Sequence, residues 1–374
     1  MEIAAAVVEE SLLGNPADDV LRRMLRAEHG VAQDVAAAAA RLVFGYFRWC
    51  GWLDNSRPVR QQLEETLDLA TRFARDPGSF GDEELACAVP SWVGESVPVA
   101  AAWLRSLQVE PRLWLRARPG IGPVLAIELG GCEAPYPAVS PDALWYRGTR
   151  DLFRCPAFHE GRFEVQDLAS QLVGLVCAPR SGENWWDACA GEGGKALHLA
   201  DLMENRGVVW ATDRAAWRLQ RLRIRASRAG LFNLRWGAWD GEAAPPARQK
   251  FDGVLLDAPC TGLGTWQRNP HARWTVRATD VTELASVQLK LLVKAAASVK
   301  PGGKLVYAAC TVTREETQGV VRAFADSVPG FEPVPVGLPW RKASGPGTGD
   351  SNTVQIWPEE LGSNGMFMAV WRKV

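Results

Sequence analysis

Between residues 181 and 309 short apolar runs alternate with amphipathic stretches, and this alternation leaves few folds open. The apolar runs lie at 184–188, 208–212, 234–239, 253–256 and 304–309, with helical periodicity between them at about 194–205, 214–229 and 281–298. Runs this short and this continuously apolar suit parallel strands buried on both faces. Strand alternating with helix predicts an α/β, doubly wound parallel sheet whose ligand crevice lies outside the carboxyl ends of the strands. A last pair of runs, 353–357 and 366–371, predicts a C-terminal antiparallel hairpin at the sheet edge. The third helix is expected to start on a capping pair, Asp280 with Glu283.

The rest of the chain divides into two further pieces. Residues 1–78 carry helical periodicity throughout, in Val20, Leu21, Met24 and Leu25, then 36–47, then Leu63, Leu67, Leu69 and Phe73, and close on the turn Asp76-Pro77-Gly78. They predict an all-α domain. Residues 79–180 hold more Gly and Pro and short apolar pieces such as 113–115 and 124–129, and read as an α+β connecting subdomain ahead of a core at 181–374. At 374 residues, with 23% charged and 47% hydrophobic residues, the chain has the composition of a multidomain globular protein. A net charge of −1 carries no global basic signature, so any nucleic-acid surface must be a local patch.

Several function classes fall away early. The eight cysteines show no CxxC pair and the four histidines have no metal-ligand spacing, so no structural metal is expected. The N-terminus lacks a basic leader, and no apolar run reaches the roughly 18 residues that a membrane span requires. The expectation is a cytoplasmic protein with reduced thiols and no membrane partner.

Chemistry concentrates at the strand ends. Asp187, Ala188, Cys189, Ala190, Gly191, Glu192, Gly193, Gly194 and Lys195 link the first strand to its helix, where glycines admit a ligand close to the backbone and a helix N-terminus offers free N–H groups. Asp213 ends the second strand, where a carboxylate can hold ribose hydroxyls, and Asp240 follows the third, where it can accept from an adenine amino group. The pattern outlines a nucleoside-type ligand. Gly191-x-Gly193-x-x-Ala196 also fits the dinucleotide fingerprint, so a nicotinamide-dependent oxidoreductase stays open on this motif alone. A P-loop is excluded by Cys189 and Ala196, which stand where that motif needs Gly and Ser or Thr.

Two further strand ends each carry a thiol. FDGVLLDAPC ends with Asp257 and Cys260 on a proline-broken turn, and KLVYAACT places Cys310 in the same position one strand later. A single strand-end cysteine is ordinarily packing. In a doubly wound sheet these two strands are neighbours, so both thiols should face one crevice beside Asp257, which points to nucleophilic catalysis.

Here the sequence resembles the S-adenosylmethionine-dependent RNA cytosine-5 methyltransferases, in particular their RsmB-like bacterial branch of the Sun/NSUN family. DACAGEGGK is similar to their first motif and DAPC to their fourth; the Cys310 segment with Glu316 resembles their sixth. Arg268, Pro270 and Trp274 fit the residues that follow the fourth motif. Gln166-Asp167 with Ser170-Gln171 resembles the lead into the core, and Gly365-Met366-Phe367 the closing hairpin. The chain departs from the pattern at Gly191-Glu192, Ala309 and Thr317. The resemblance implies a Rossmann-like class I methyltransferase core preceded by a NusB-like helical domain. It further implies S-adenosyl-L-methionine as cofactor, ribosomal RNA as substrate and 5-methylcytosine as product.

By the same resemblance Cys310 attacks cytosine C6, Cys260 assists product release, Asp257 holds the N3/N4 edge of the base, and Lys195 lies beside cofactor and base. The cofactor contacts are expected among 187–191, Gly193, Gly194, Lys195, Asp213, Arg218, Asp240 and Asp257. RNA contacts are expected at Arg268, Arg273 and Trp274, behind the catalytic loop and near Trp266 and Arg277. An arginine-rich helix, with Arg214, Arg218, Arg221, Arg223, Arg225 and Arg228, is either a solvated face or a phosphate contact. Trp185 and Trp186 are expected in the core. A non-catalytic RNA-binding assembly factor remains the non-enzymatic alternative.

Overall fold

The computed structural model describes residues 1–27, 31–134, 139–243, 250–338 and 351–374. Its chain divides into two compact units, Met1–Pro111 with Gly262–Asp280, and Arg112–Thr261 with Val281–Val374. The boundary therefore falls at 111 rather than at 78 and 180, and the segment that follows the Cys260 turn belongs to the helical unit.

In the helical unit, α1 (Glu2–Leu12), α2 (Ala17–Ala27), α3 (Gln33–Trp49) and α4 (Val59–Arg75) bury one apolar stripe each. Val7, Val8, Val20, Val43, Tyr46, Phe47 and Leu63 form the shared core. The Asp76 turn forms as expected, with Asp76 Oδ1 accepting from the Gly78 N–H at 2.9 Å. Trp49, Phe73 and Phe80 stack edge to face or tilted at 5.5–5.6 Å between ring centroids.

Segment 262–280 closes this unit through one side chain. Arg273 is 0% exposed. Its Nη1 donates to the carbonyls of Ala88 (2.9 Å) and Arg48 (3.3 Å), and its Nη2 to those of Leu107 (3.1 Å) and Trp266 (3.4 Å). Burial, with Arg48 nearby, pushes the guanidinium down to about 9. Trp274 donates from Nε1 to the Phe47 carbonyl at 2.6 Å and packs on the helical core, while Trp266 is fully buried. The expectation that Arg273 grips RNA is therefore corrected, because it has no exposed surface and both its terminal nitrogens go to backbone carbonyls inside the unit; Trp274 is half-buried, with its indole N–H on one such carbonyl. Arg268 and Arg277 are exposed.

The second unit holds two sheets. β1 (Leu113–Ala117), β2 (Cys132–Glu133), β3 (Ala143–Tyr146) and β4 (Phe163–Val165) form a four-stranded antiparallel sheet in the order β2-β3-β1-β4. The expected apolar piece at 124–129 lies instead in a helix, α5 (Gly122–Leu129). This small sheet is fastened to the larger core: Trp114 shares a cluster with Leu168, Leu172 and Trp185, and Arg116 bonds the Gln166 and Asp201 side chains.

The larger sheet is built from β5 (Asn184–Asp187), β6 (Val208–Asp213), β7 (Leu234–Ala238), β8 (Phe251–Asp257), β9 (Val299–Ala309), β10 (Phe331–Pro333), β11 (Thr353–Ile356) and β12 (Met366–Lys373). Its order is β10-β12-β9-β8-β5-β6-β7, with β11 alongside β12. β5 through β9 pair in parallel, and β12 runs antiparallel to β9. The C-terminal hairpin thus forms, but β12 lies inside the sheet, with β10 and β11 beyond it.

Alternate residues of each strand face opposite helical layers. Trp185, Val209, Leu255 and Val306 pack toward α6 (Leu168–Cys177), α7 (Gly194–Leu202) and α8 (Ala216–Arg228). Trp186, Val254, Leu256 and Leu305 pack toward α9 (Ala278–Ala296) and α10 (Val320–Ser327). α9 starts three residues earlier than expected, and Asp280 accepts from the Arg277 N–H at 2.9 Å, so Asp280 occupies the third helical position rather than the cap. β5 sits between β6 and β8, at the point where strand order reverses, which sets the crevice at the ends of these strands.

Removing the guanidinium in Arg273→Ala leaves carbonyls of four segments unpaired in a dry interior. Loss of about 3 kcal/mol is expected from denaturant unfolding, with Arg273→Lys recovering only part because an ammonium cannot span the same fork.

Candidate active site

The crevice is framed by successive strand ends. β8 and β9 are in register with Asp257 opposite Ala308, so the chain leaves the sheet toward Cys260 and Cys310 side by side. Their sulfurs are 3.2 Å apart. The two thiols differ in state. The hydrogen bond from Cys260 holds the Cys310 thiol below its ordinary value; burial and the Asp257 carboxylate oppose this, and the Lys195 ammonium assists. The same bond, with burial, pushes Cys260 well up. Either sulfur can donate in this contact; with Cys260 as donor, Cys310 is the thiolate-prone sulfur.

Lys195, at the start of α7, reaches Asp257 Oδ2 at 2.6 Å. Burial alone would lower the Lys195 ammonium, but the Asp257 charge and hydrogen bond outweigh it and the net direction is up. Lys195 is thus a fixed cation beside the thiols. Asp187 is completely buried and neither carboxylate oxygen has a hydrogen-bond partner among the described residues. Burial, reinforced by Asp257 and Asp213, raises its carboxyl to about 8.

The glycine turn is shaped for close approach. Gly191 has φ +55 and nothing within 4 Å of where a Cβ would stand, and its N–H donates to Asp213 Oδ2 at 3.0 Å. Gly193, at φ +88, is required for a different reason, since a Cβ there would meet Leu222 of α8 at 2.6 Å. A cavity of about 500 Å³ opens along this edge, lined by Cys189, Ala190, Gly191, Asp213, Arg218, Asp240, Asp257, Cys260 and Cys310 among others. Asp187, Ala188, Gly193, Gly194 and Lys195 do not line it. A larger cavity of about 660 Å³ in the helical unit is lined by Leu42, Trp49, Leu67 and Phe73 among others, and by no cysteine.

One residue had been placed in a motif but given no task. Glu316 is 0% exposed and sits in a single π-turn, Glu315–Gly319. Its Oε1 accepts from the Thr261 N–H (2.8 Å) and from Gln288 Nε2 (2.9 Å). Its Oε2 accepts from the hydroxyls of Thr311 (3.0 Å), Thr313 (2.8 Å) and Thr261. Gln288 also donates to the Pro259 carbonyl at 2.9 Å, and Tyr307 closes the knot on Gln288 Oε1 and the Glu316 carbonyl. Thr261 follows Cys260 and Thr311 follows Cys310, so one carboxylate holds both thiol loops. The density of Thr around the second cysteine was the available signal, since hydroxyls without an acceptor are costly in a core.

Among the described residues, no group of His, Cys, Asp or Glu could hold a metal ion, and no helix is long and apolar enough to cross a membrane.

A doubly wound sheet carrying a glycine turn, acidic strand ends and a thiol pair along one edge has the plan of a Rossmann-like methyltransferase. Residues 174–372 match the family described as 16S rRNA methyltransferase RsmB/F, and the chain belongs to that family. It is 36% identical over 221 residues to the "Probable ribosomal RNA small subunit methyltransferase B" of Bacillus subtilis (strain 168), covering 58% of this chain and 49% of that protein. It is 34% identical over 335 residues to the ribosomal RNA small subunit methyltransferase B of Vibrio cholerae, covering 84% of this chain and 70% of that protein. The crystal structure of PH0851 superposes with a TM-score of 0.80 at 25% identity, covering 99% of this chain and 97% of that one. The chain spans about half the length of the Bacillus relative.

Glu316→Gln replaces one acceptor oxygen with a donor that must face N–H groups or hydroxyls already donating. A loss of about 2 kcal/mol in denaturant unfolding is expected.

Proposed function

We propose that the chain is an S-adenosylmethionine-dependent RNA cytosine-C5 methyltransferase acting on ribosomal RNA through a covalent adduct on Cys310. The observation that carries this reading is the asymmetric thiol pair, with its 3.2 Å separation, beside the Lys195–Asp257 ion pair. A nicotinamide reaction gives that pair no task, and family membership favours methyl transfer.

The crevice fits the cofactor by its own features. Open space over Gly191, the Asp213 carboxylate at the end of β6 and the exposed Asp240 after β7 suit a nucleoside with its ribose and base, with Arg218 at the rim. The bound cofactor supplies an electrophilic methyl group on a sulfonium. Every other step belongs to the protein and the RNA.

Cytosine C5 attacks nothing until the ring is converted to an enamine. The Cys310 sulfur forms a bond to C6, and the displaced ring electrons move toward N3 and O2 while C5 gains nucleophilic character. Asp257 is suited to accept from the N4 amino group, and the Lys195 ammonium holds that carboxylate in place. After C5 has accepted the methyl group, water takes its proton, the C5–H electrons restore the C5–C6 double bond, and the C6–sulfur bond breaks with its electrons returning to Cys310. The Cys260 thiol, as hydrogen-bond donor, stabilises the departing thiolate. The bond that makes Cys310 a ready nucleophile thus also makes it a good leaving group. Because a stacked, paired base hides its C6 face, the target must be unpaired or flipped out.

We also read the four-helix stretch of the first unit as NusB-like by the same resemblance, Arg268 as an RNA contact because it is exposed near the thiol loops in sequence, and the protein as cytoplasmic, where free thiols persist.

Cys310→Ser is expected to abolish methyl transfer to unmodified ribosomal RNA while retaining cofactor binding by calorimetry. Cys260→Ala is expected to accumulate a covalent protein–RNA species on denaturing gels. Undiminished turnover by the first variant contradicts the assignment.

A further inference from the structure

The outer edge of the large sheet carries a surface that the catalytic reading does not use. In about twenty residues on α8, the following turn and β7, four large apolar side chains are exposed: Trp217 (56%), Ile224 (61%), Phe232 (74%) and Trp236 (43%). Isolated exposed apolar residues are ordinary, but Phe232 and Trp236 line one cleft, and paired exposed rings are a liability unless something covers them.

The charge around them is of one sign. Residues 214–239 contain seven arginines and no acidic residue. The structure divides those arginines by task. Arg225 and Arg228 turn inward to Glu164 of β4, Arg221 pairs with Glu192, and Arg218 lies 3.8 Å from Asp213. Arg214, Arg223 and Arg235 are exposed and have no carboxylate partner among the described residues. Arginine and aromatic side chains also interleave: Arg218 and Arg221 lie 5.3 and 5.2 Å from the Trp217 ring, and Arg223 lies 6.0 Å from that of Trp236. Arg223, Ser227, Phe232, Arg235 and Trp236 frame a shallow cleft of about 410 Å³. The cleft is separate from the thiol crevice and shares no lining residue with it.

We propose that this edge is a docking surface for single-stranded RNA, with Phe232 and Trp236 stacking on unpaired bases and Arg223 and Arg235 contacting phosphates. The inference rests on RNA as the substrate and adds a second point of attachment away from the target base. Aromatic faces accept any base, and a positive groove follows the backbone; together they give sequence-tolerant affinity for unpaired strands. A protein partner with an acidic surface would use the arginines but not the two exposed rings that line the cleft, and a second copy of this chain would bring arginine against arginine.

The test is fluorescence anisotropy of the full chain with a labelled twelve-nucleotide unpaired RNA and with a duplex of equal length. Phe232→Ala and Trp236→Ala are each expected to weaken single-strand binding about tenfold and to leave duplex binding within about twofold. Arg223→Ala with Arg235→Ala is expected to reduce the log–log salt slope for the single strand by about 1.4. All four side chains are exposed, so thermal midpoints should stay near that of the unaltered chain and confirm folding. Unchanged single-strand affinity in these variants overturns the surface while leaving the catalytic reading intact. Failure of the unaltered chain to bind any RNA overturns both. A dimer seen in sedimentation that these variants dissolve, with RNA affinity unaltered, assigns the surface to self-association and overturns the proposal.

Discussion

The Glu316 carboxylate is the constraint on which the site depends. A charged group with no exposed surface is tolerated only when its lone pairs are filled, and here backbone, amide and hydroxyl donors from three separate stretches converge on it. Two of those donors belong to residues immediately following the cysteines, so the cost of burying the charge is offset by fixing the geometry of the thiols. Parallel pairing of β8 with β9 brings the loops near each other, and the Glu316 knot sets their spacing. A turn of π-helix at Glu315–Gly319, in which the Gly319 N–H reaches the Arg314 carbonyl at 2.8 Å, seats the carboxylate under both loops.

The electrostatics of the crevice follow from that frame. Asp187, Asp213 and Asp257 stand at three neighbouring strand ends, and Lys195 is the buried cation that answers them. The cluster would be unstable with every carboxylate charged. Burial raises the Asp187 carboxyl to about 8, and it is the innermost of the three, whereas Asp213 accepts from the N–H groups of Gly191 and Ala215. Within this arrangement the Cys260–Cys310 contact holds the Cys310 thiol down and pushes Cys260 up.

Much of this edge was legible in the sequence because it depends on local pattern. Short apolar runs ending in Asp or Cys, glycines before a helix, and a thiol within three residues of each of two strand ends require no knowledge of distant contacts, and the observed strands lie within a few residues of those expectations. Segment 262–280 was misread for the opposite reason. Arginines and tryptophans beside a catalytic loop have the composition of a nucleic-acid surface, yet Arg273 and Trp274 find carbonyls at Arg48, Ala88 and Phe47, roughly two hundred positions away. Such partners cannot be read from spacing. The arginine helix shows both outcomes at once: Arg225 and Arg228 are committed inward to Glu164, while Arg223 stays exposed beside Trp236.

The account stands on Cys310, rather than its hydrogen-bonded neighbour, being the sulfur that joins the base. Ribosomal RNA transcribed with 5-fluorocytidine cannot lose a proton from C5, so the covalent adduct formed during methyl transfer should persist. Incubation with S-adenosylmethionine, digestion and mass spectrometry should find the modified nucleotide on the peptide that contains Cys310, with Cys260 unmodified. An adduct on Cys260, or efficient methylation of ordinary RNA with no adduct on either thiol, would contradict the account.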